Sequence, residues 1–261
     1  NNIQKVLNWL GPPPVDKQRL NARYPEMMET TLLVPAFMGK NADLLSILLQ
    51  LGADVDPVSA EGATPLAGAG TVAECNAQAR LLLEWGAEIS NCSTSKEDFI
   101  GYAIEEGNIK LANLLESEFG GRRCEVINLP NRPDLVGKTC VVEKYLHDKG
   151  RYKVVFEASK EVGLVGPENL KRRDRTPDDC GYYITYKNGT YTRHEFASRK
   201  ECQAFIASWT EEYNSRDAEA EARAEQAAQS LLAELEIDSP GDSRSKKKGK
   251  QRKGKKKKGR K

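Results

Sequence analysis

Histidine is scarce in this sequence: His147 and His194 are the only two among 261 residues. Six cysteines, Cys75, Cys92, Cys124, Cys140, Cys180 and Cys202, are scattered without a C-x-x-C pair. A structural zinc site needs four ligands at short, defined spacings, so neither a metal nor any other cofactor is expected. No apolar run approaches the roughly 18 to 20 residues of a membrane helix, and no membrane partner is expected. Asn1 to Leu10 is too short and too polar for a secretory signal. The thiols are therefore expected to be reduced, and the compartment cytoplasmic or nuclear.

Catalytic signatures are missing as well. There is no G-x-x-x-x-G-K phosphate loop, no G-x-G-x-x-G after a strand, and no H-E-x-x-H. Acidic residues are abundant, but no pattern singles out an acid/base pair. Cys180 and His194 could form a nucleophile and base, but no known local signature surrounds either. An exposed or strand-paired His194 is the preferred reading. The chain is expected not to be an enzyme.

Apolar residues make up only 39% of the chain and charged residues 30%. That balance suggests folded modules joined to a solvated part. The net charge of +2 hides a strong asymmetry. Residues 244 to 261 hold 13 Lys and Arg and no acid, which leaves 27 basic against 38 acidic groups elsewhere, or −11.

What the sequence does have is a repeat. Ile47 to Val55 (ILLQLGADV) and Leu81 to Ile89 (LLLEWGAEI) are near copies, 34 residues apart. Thr31 corresponds to Thr64, Ala36 to Ala69 and Ala103, Gly52 to Gly86, and Leu49 to Leu83 and Leu115. A fixed period of this size marks a solenoid. Leu44, Leu45, Leu48 and Leu49, then Leu81, Leu82 and Leu83, then Leu111, Leu114 and Leu115 fall on one face of each second helix. One helix pair cannot bury that face alone, so the units must stack.

Residues 3 to 119 resemble the ankyrin repeat, through Gly62-Ala63-Thr64-Pro65-Leu66 and Leu82 to Ile89. Thr64 suits a helix cap, Pro65 the first helical position, and Gly86 a left-handed helix stop. Val34 and Ala67 stand where the family has His, and the third unit, Phe99 to Glu116, lacks the Thr-Pro-Leu turn. The resemblance implies a surface for protein partners, on the loops Val55 to Glu61 and Ile89 to Lys96 or on the outer face of the first helices. Trp85 and Met38 are expected to pack inside.

Gly120-Gly121-Arg122-Arg123 marks a boundary, after which the pattern turns to strands: Cys124 to Ile127, Gly137 to Val142, Tyr152 to Phe156 and Glu161 to Val165. Arg132 to Lys138, Gly150 to Val154 and Val165 to Leu170 resemble a small β-barrel of the Src-homology-3 type. That resemblance implies peptide or nucleic-acid binding, or mere packing. Tyr145 and Tyr152 are candidate recognition aromatics, with packing preferred.

Asn188-Gly189 between two β-prone runs predicts a hairpin with Tyr186 facing Tyr191 and Tyr183 facing His194. Its tyrosines and basic residues could stack on single strands of nucleic acid, but sheet packing explains the same tyrosines and is the preferred reading. Ser198 to Glu201 matches a capping box, and the helix that follows puts Cys202, Phe205, Ile206, Trp209 and Tyr213 on one stripe. Residues 214 to 237, rich in Ala and Glu, predict a solvated helix.

Beyond it the composition is that of a disordered tail. Its Lys246, Lys247, Lys248, Lys250, Arg252, Lys253, Lys255, Lys256, Lys257, Lys258, Arg260 and Lys261 are candidate targeting or weak phosphate contacts.

The expected fold class is therefore α + β and multidomain. It runs as an ankyrin-like α-solenoid (1–119), a small β-barrel (124–175), a hairpin plus helix (180–213), a solvated helix (214–237) and a disordered basic tail (238–261). The expected function is a protein-interaction scaffold whose tail sets location. The alternative is an RNA- or ribosome-associated factor using tail, hairpin and barrel, with Lys171, Arg172, Arg173 and Arg175 clustered on a basic surface.

Overall fold

The computed structural model describes residues 2–11, 15–70, 76–89, 95–187 and 190–237. It divides into two units, Asn1–Ser215 and Arg216–Lys261. The architecture is α + β: a helical region, a five-stranded antiparallel sheet, a two-stranded hairpin and a C-terminal helix.

The first unit opens with helices α1 (Asn2–Leu10) and α2 (Lys17–Leu20) and a 3-10 turn at Pro25–Met27. Three helix pairs follow: α3 (Leu33–Met38) with α4 (Ala42–Gln50), α5 (Pro65–Gly68) with α6 (Asn76–Glu84), and α7 (Lys96–Glu105) with α8 (Ile109–Glu116). Side chains at the starts satisfy backbone donors that a helix leaves unpaired. Asn41 accepts from the Leu44 N–H, Thr64 from Ala67 and Ser95 from Asp98. Pro65 stands at the start of α5, where its missing N–H costs nothing.

The two copied leucine stretches end alike. Gly52 and Gly86 are left-handed, at φ +96° and +97°. Behind them Ala53 N–H donates to Leu48 O and Ala87 N–H to Leu82 O, each at 3.0 Å. This closure needs a residue that tolerates positive φ, which is why glycine recurs there. The expected core leucines of α4 and α8 are buried, as are Leu82 and Leu83 of α6, while Leu81 is half-buried.

The sheet comprises β1 (Arg123–Val126), β2 (Thr139–Leu146), β3 (Arg151–Phe156), β4 (Val162–Val165) and β5 (Leu170–Arg172), in the order β4-β3-β2-β1-β5. Alternation along β3 buries Tyr152, Val154 and Phe156 on one face. They pack with Val126, Val142, Val165 and Leu170 in a core of their own. The expected closed barrel is corrected here: the sheet is open, and no ladder among the described residues joins its edge strands β4 and β5. Tyr145 and Tyr152 pack against each other with ring centres 4.8 Å apart, and Tyr152 is buried.

The hairpin comprises β6 (Tyr182–Lys187) and β7 (Thr190–Glu195) in the expected register, Tyr186 opposite Tyr191 and Tyr183 opposite His194. The turn residues Asn188 and Gly189 lie outside the described residues. Helix α9 (Arg199–Ile237) begins at a capping box: Ser198 Oγ accepts from Glu201 N–H at 3.3 Å, and Glu201 accepts from Ala197 N–H at 3.0 Å. Cys202, Phe205, Ile206 and Trp209 form the predicted stripe, with Phe205 against Tyr183, His194 and Phe196. The side chain of Tyr213 lies outside the described residues.

The hairpin shares its core with the helices rather than with the sheet. Cys180, Tyr182, Ile184 and Cys202 join the cluster of buried leucines. Tyr182 OH lies 2.6 Å from Ser46 Oγ, and the Gln50 side chain accepts from Ile184 N–H at 3.1 Å. Gln50 thus satisfies a buried strand donor with a helix side chain. Gln50→Leu leaves that N–H without its partner and is expected to cost about 1 to 3 kcal/mol, read from the urea midpoint. An unchanged midpoint would show that the contact contributes nothing.

In the second unit the described side chains of residues 218 to 231 are exposed. No described helix is long and apolar enough to cross a membrane.

Candidate protein-binding face

Helices α3 and α5 are neighbours, and α7 meets the chain at Gly70, just beyond α5. At Gly68 an added Cβ would sit 3.9 Å from the sulfur of Met38. At Gly70 it would sit 3.0 and 3.2 Å from the rings of Phe99 and Tyr102. The missing side chains let Met38 on α3 lie against Gly68, and the Phe99 and Tyr102 rings on α7 lie against Gly70. Met38 is 49% exposed and Tyr102 is 41% exposed. Met38 therefore corrects the expectation that it packs inside. It ends a short helix whose inward positions Leu33, Ala36 and Phe37 already fill the core. Trp85, by contrast, is buried as expected.

The apolar surface continues past Met38. Leu32, Pro35 and Met38 succeed one another at the spacing that keeps side chains on one helical face. Leu32 and Pro35 line a hollow of about 320 Å³ with Val6, Trp9, Tyr24, Met27 and Lys5. Trp9 and Tyr24 have ring centres 6.4 Å apart, and the Arg19 guanidinium lies 5.8 Å from the centre of the Trp9 ring.

A tight turn presents the methionines. Tyr24 bridges to Thr30, and the intervening Met28 and Glu29 both take positive φ, 54° and 58°. Two adjacent non-glycine residues in that region are costly, on the order of 1 kcal/mol or more each. The turn is held by Glu29 N–H to Tyr24 O, and Met28 O accepts from Ala60 N–H in the next loop. Met27 and Met28 both remain exposed. Methionine is flexible and polarisable, and it adapts to irregular apolar partners.

The charged groups behave differently. Arg172, Arg173 and Arg175, expected on a basic surface, are committed to carboxylates. Arg175 pairs with Glu84 at 2.7 Å and Glu157 at 2.5 Å. Arg173 pairs with Glu125 and Asp179, both at 2.6 Å. Arg172 pairs with Asp174 at 2.7 Å and with Glu88, and donates to Gly86 O. Only Lys171 of that group is fully exposed. On the adjoining strand, Arg123 is 1% exposed and joins Glu157 at 2.9 Å and Asp179 at 3.2 Å. Arg122 joins Glu88 at 3.3 Å.

Together these bonds clamp the end of α6 to β1 and β5. Burial pulls the Arg175 guanidinium down, but Glu84 and Glu157 outweigh it and hold its pKa above the ordinary value. Single-residue patterns miss this clamp because the partners are remote in sequence. The doubled arginines at 122–123 and 172–173, each beside a strand, were its visible trace.

His194 and Cys180 engage different partners. His194 Nε2 lies 3.0 Å from Thr185 Oγ1, and its ring faces Phe205. Cys180 Sγ faces Cys202 Sγ at 3.8 Å. Among the described residues no three His, Cys, Asp or Glu gather where they could hold a metal ion. The tail positions Lys246 to Lys261 lie outside the described residues, as does most of the loop from Ile89 to Lys96.

No protein-family model matches the chain, and no curated protein is similar to it at a significant level.

Proposed function

We propose that this chain is a non-enzymatic protein-interaction module, with helix pairs of the ankyrin type, whose first-helix face receives an apolar segment of a partner protein. The exposed apolar row carries this reading: Trp9, Met27, Met28, Met38 and Tyr102 stand out, while Arg172, Arg173 and Arg175, the expected basic surface, are paired with carboxylates. The offsets of 33 and 34 residues and the matching glycine closures support the ankyrin type. A partner helix carrying apolar residues one turn apart has the chemistry to fill the hollow lined by Trp9, Met27, Leu32 and Pro35 and to cover the exposed row beside it. The basic tail would serve for location or weak phosphate contact, outside this face.

The test is affinity purification from the native cell at two salt concentrations, with and without nuclease. It compares the intact chain, Met38→Glu with Tyr102→Glu, and a chain ending at residue 241. The double variant is expected to lose the protein partner at least tenfold while keeping the wild-type circular dichroism spectrum. The shortened chain is expected to keep it, with binding insensitive to salt. Loss with the tail alone, or on nuclease treatment, would overturn the proposal in favour of an RNA-associated factor.

A further inference from the structure

Cys180 and Cys202 are brought together by two different elements. Cys180 precedes β6, and Cys202 lies in the first turns of α9. Both are buried, with the sulfurs 3.8 Å apart. We propose that they form a reversible disulfide, a redox modification site that fastens the start of the hairpin to the start of α9.

The surroundings distinguish the two sulfurs. The Cys202 sulfur accepts from the Cys180 thiol and from the backbone N–H groups of Cys180 and Gly181. These donors favour its thiolate and, against burial, hold its pKa below the ordinary thiol value. Cys180 shifts the opposite way, through its hydrogen bond to Cys202 and through burial. The single Cys180 proton has the Tyr182 carbonyl as its other acceptor within reach. One sulfur is thus prepared as the nucleophile and the other as the proton-bearing partner, the division that thiol chemistry requires.

Groups facing the pair from neighbouring elements act in both directions. The Arg175 guanidinium donates to Cys180 O and lowers the cost of negative charge there, while Asp179 acts against the Cys202 thiolate. Tyr183 stands beside both sulfurs. A cavity of about 160 Å³ is bordered by Asp179 and Gly181, which flank Cys180, and by Ser198 and Arg199, about one helical turn before Cys202. A small oxidant such as hydrogen peroxide fits such a space.

The chemistry balances with peroxide as the oxidant. The Cys202 thiolate attacks one peroxide oxygen. An S–O bond forms, the O–O bond breaks, and hydroxide leaves and is protonated to water. Cys180 sulfur then attacks the sulfenic sulfur. The S–S bond forms, the S–O bond breaks, and the departing hydroxide takes the Cys180 proton. Two thiols and one peroxide give one disulfide and two waters.

Cys124 and Cys140 supply an internal comparison. They oppose each other across β1 and β2 and are equally buried. Burial pushes Cys124 up to about 12 and Cys140 higher still, so both stay protonated and unreactive.

The full chain, reduced and freed of reductant, would be treated with a small excess of hydrogen peroxide and digested without reduction. The expected result is a cross-linked peptide joining Cys180 to Cys202, removed by dithiothreitol. Cys180→Ser should instead trap a sulfenic acid at Cys202, captured by dimedone, and Cys202→Ser should leave Cys180 unmodified. Circular dichroism checks that each variant is folded. Persistence of both thiols in the wild-type chain, or a link confined to other cysteines, would overturn the proposal.

Discussion

Arg175→Ala is expected to destabilise the first unit by about 3 to 5 kcal/mol, the loss that follows when one partner of a buried ion pair is removed. The Arg175 side chain is 4% exposed and bridges Glu84 of α6 and Glu157 just beyond β3. It also donates to Cys180 O and lies over the Tyr182 ring, 4.9 Å from its centre. Four segments therefore meet at one guanidinium. Removing it leaves the half-buried Glu84 carboxylate without this partner, and Glu157 with Arg123 and Thr139 alone.

Arg175→Lys should recover little, because a point-like ammonium cannot serve both carboxylates with fixed donors. Arg175→Met combined with Glu84→Gln should recover more than Arg175→Met alone, since it leaves no orphaned charge at Glu84. Urea unfolding of the four variants measures this. A loss below about 1 kcal/mol for Arg175→Ala would mean the clamp behaves like a surface pair.

The same clamp sets a pH dependence. Burial pushes the Glu157 carboxyl up, but Arg175 and then Arg123 outweigh it and hold its pKa below the usual value. A carboxyl depressed in the folded state adds stability above its unfolded pKa, about 4.3 for glutamate. That stability is lost as pH falls through the folded value. The urea midpoint of the wild-type chain should therefore drop on acidification below that range. The drop should be smaller in Arg175→Ala, where the depression is largely removed.

How far the sequence reveals these features depends on the range of the interactions. The second helices were legible because their leucines repeat with helical spacing and their closing glycines repeat with the unit. The hairpin register was legible because Asn188-Gly189 fixes which residues face each other. Strand β5 was not, since Leu-Lys-Arg is too short and too charged to carry a period-two pattern. The clamp was hidden for a different reason: Glu84 and Arg175 are 91 residues apart, and no local rule couples them. The exposure of Met38 was hidden because the inward positions of its short helix are already taken by Leu33, Ala36 and Phe37, which the sequence pattern alone does not rank. The boundary at Gly120-Gly121 was legible as a boundary, but its character was not, because a glycine pair suits a flexible linker and a crowded joint alike.

That joint carries the second large effect. Gly120→Ala is expected to cost at least the upper end of the about 1 to 3 kcal/mol range for overpacking. An added Cβ would stand 1.7 Å from Leu114 O and 2.9 Å from Leu114 C. These are backbone atoms of α8, so no rotamer change relieves the clash. The end of α8 or the entry to β1 must move. The next residue blocks the second route: Gly121 sits at φ +73°, with Leu83 and Leu114 methyl carbons 2.8 and 3.0 Å from where a Cβ would be. Its N–H is bonded to Val142 O, and Arg122 N–H to Phe119 O. Shifting this segment would draw Arg122 and Arg123 away from Glu88, Glu157 and Asp179, so the steric cost adds to the ionic one. Gly101→Ala in α7 is the matched control. Open space surrounds that position, and helix propensity predicts a gain of up to about 1 kcal/mol. Urea unfolding should separate the two alanines by several kcal/mol. Equal midpoints would mean that the α8–β1 joint yields without cost and acts as a hinge between helices and sheet.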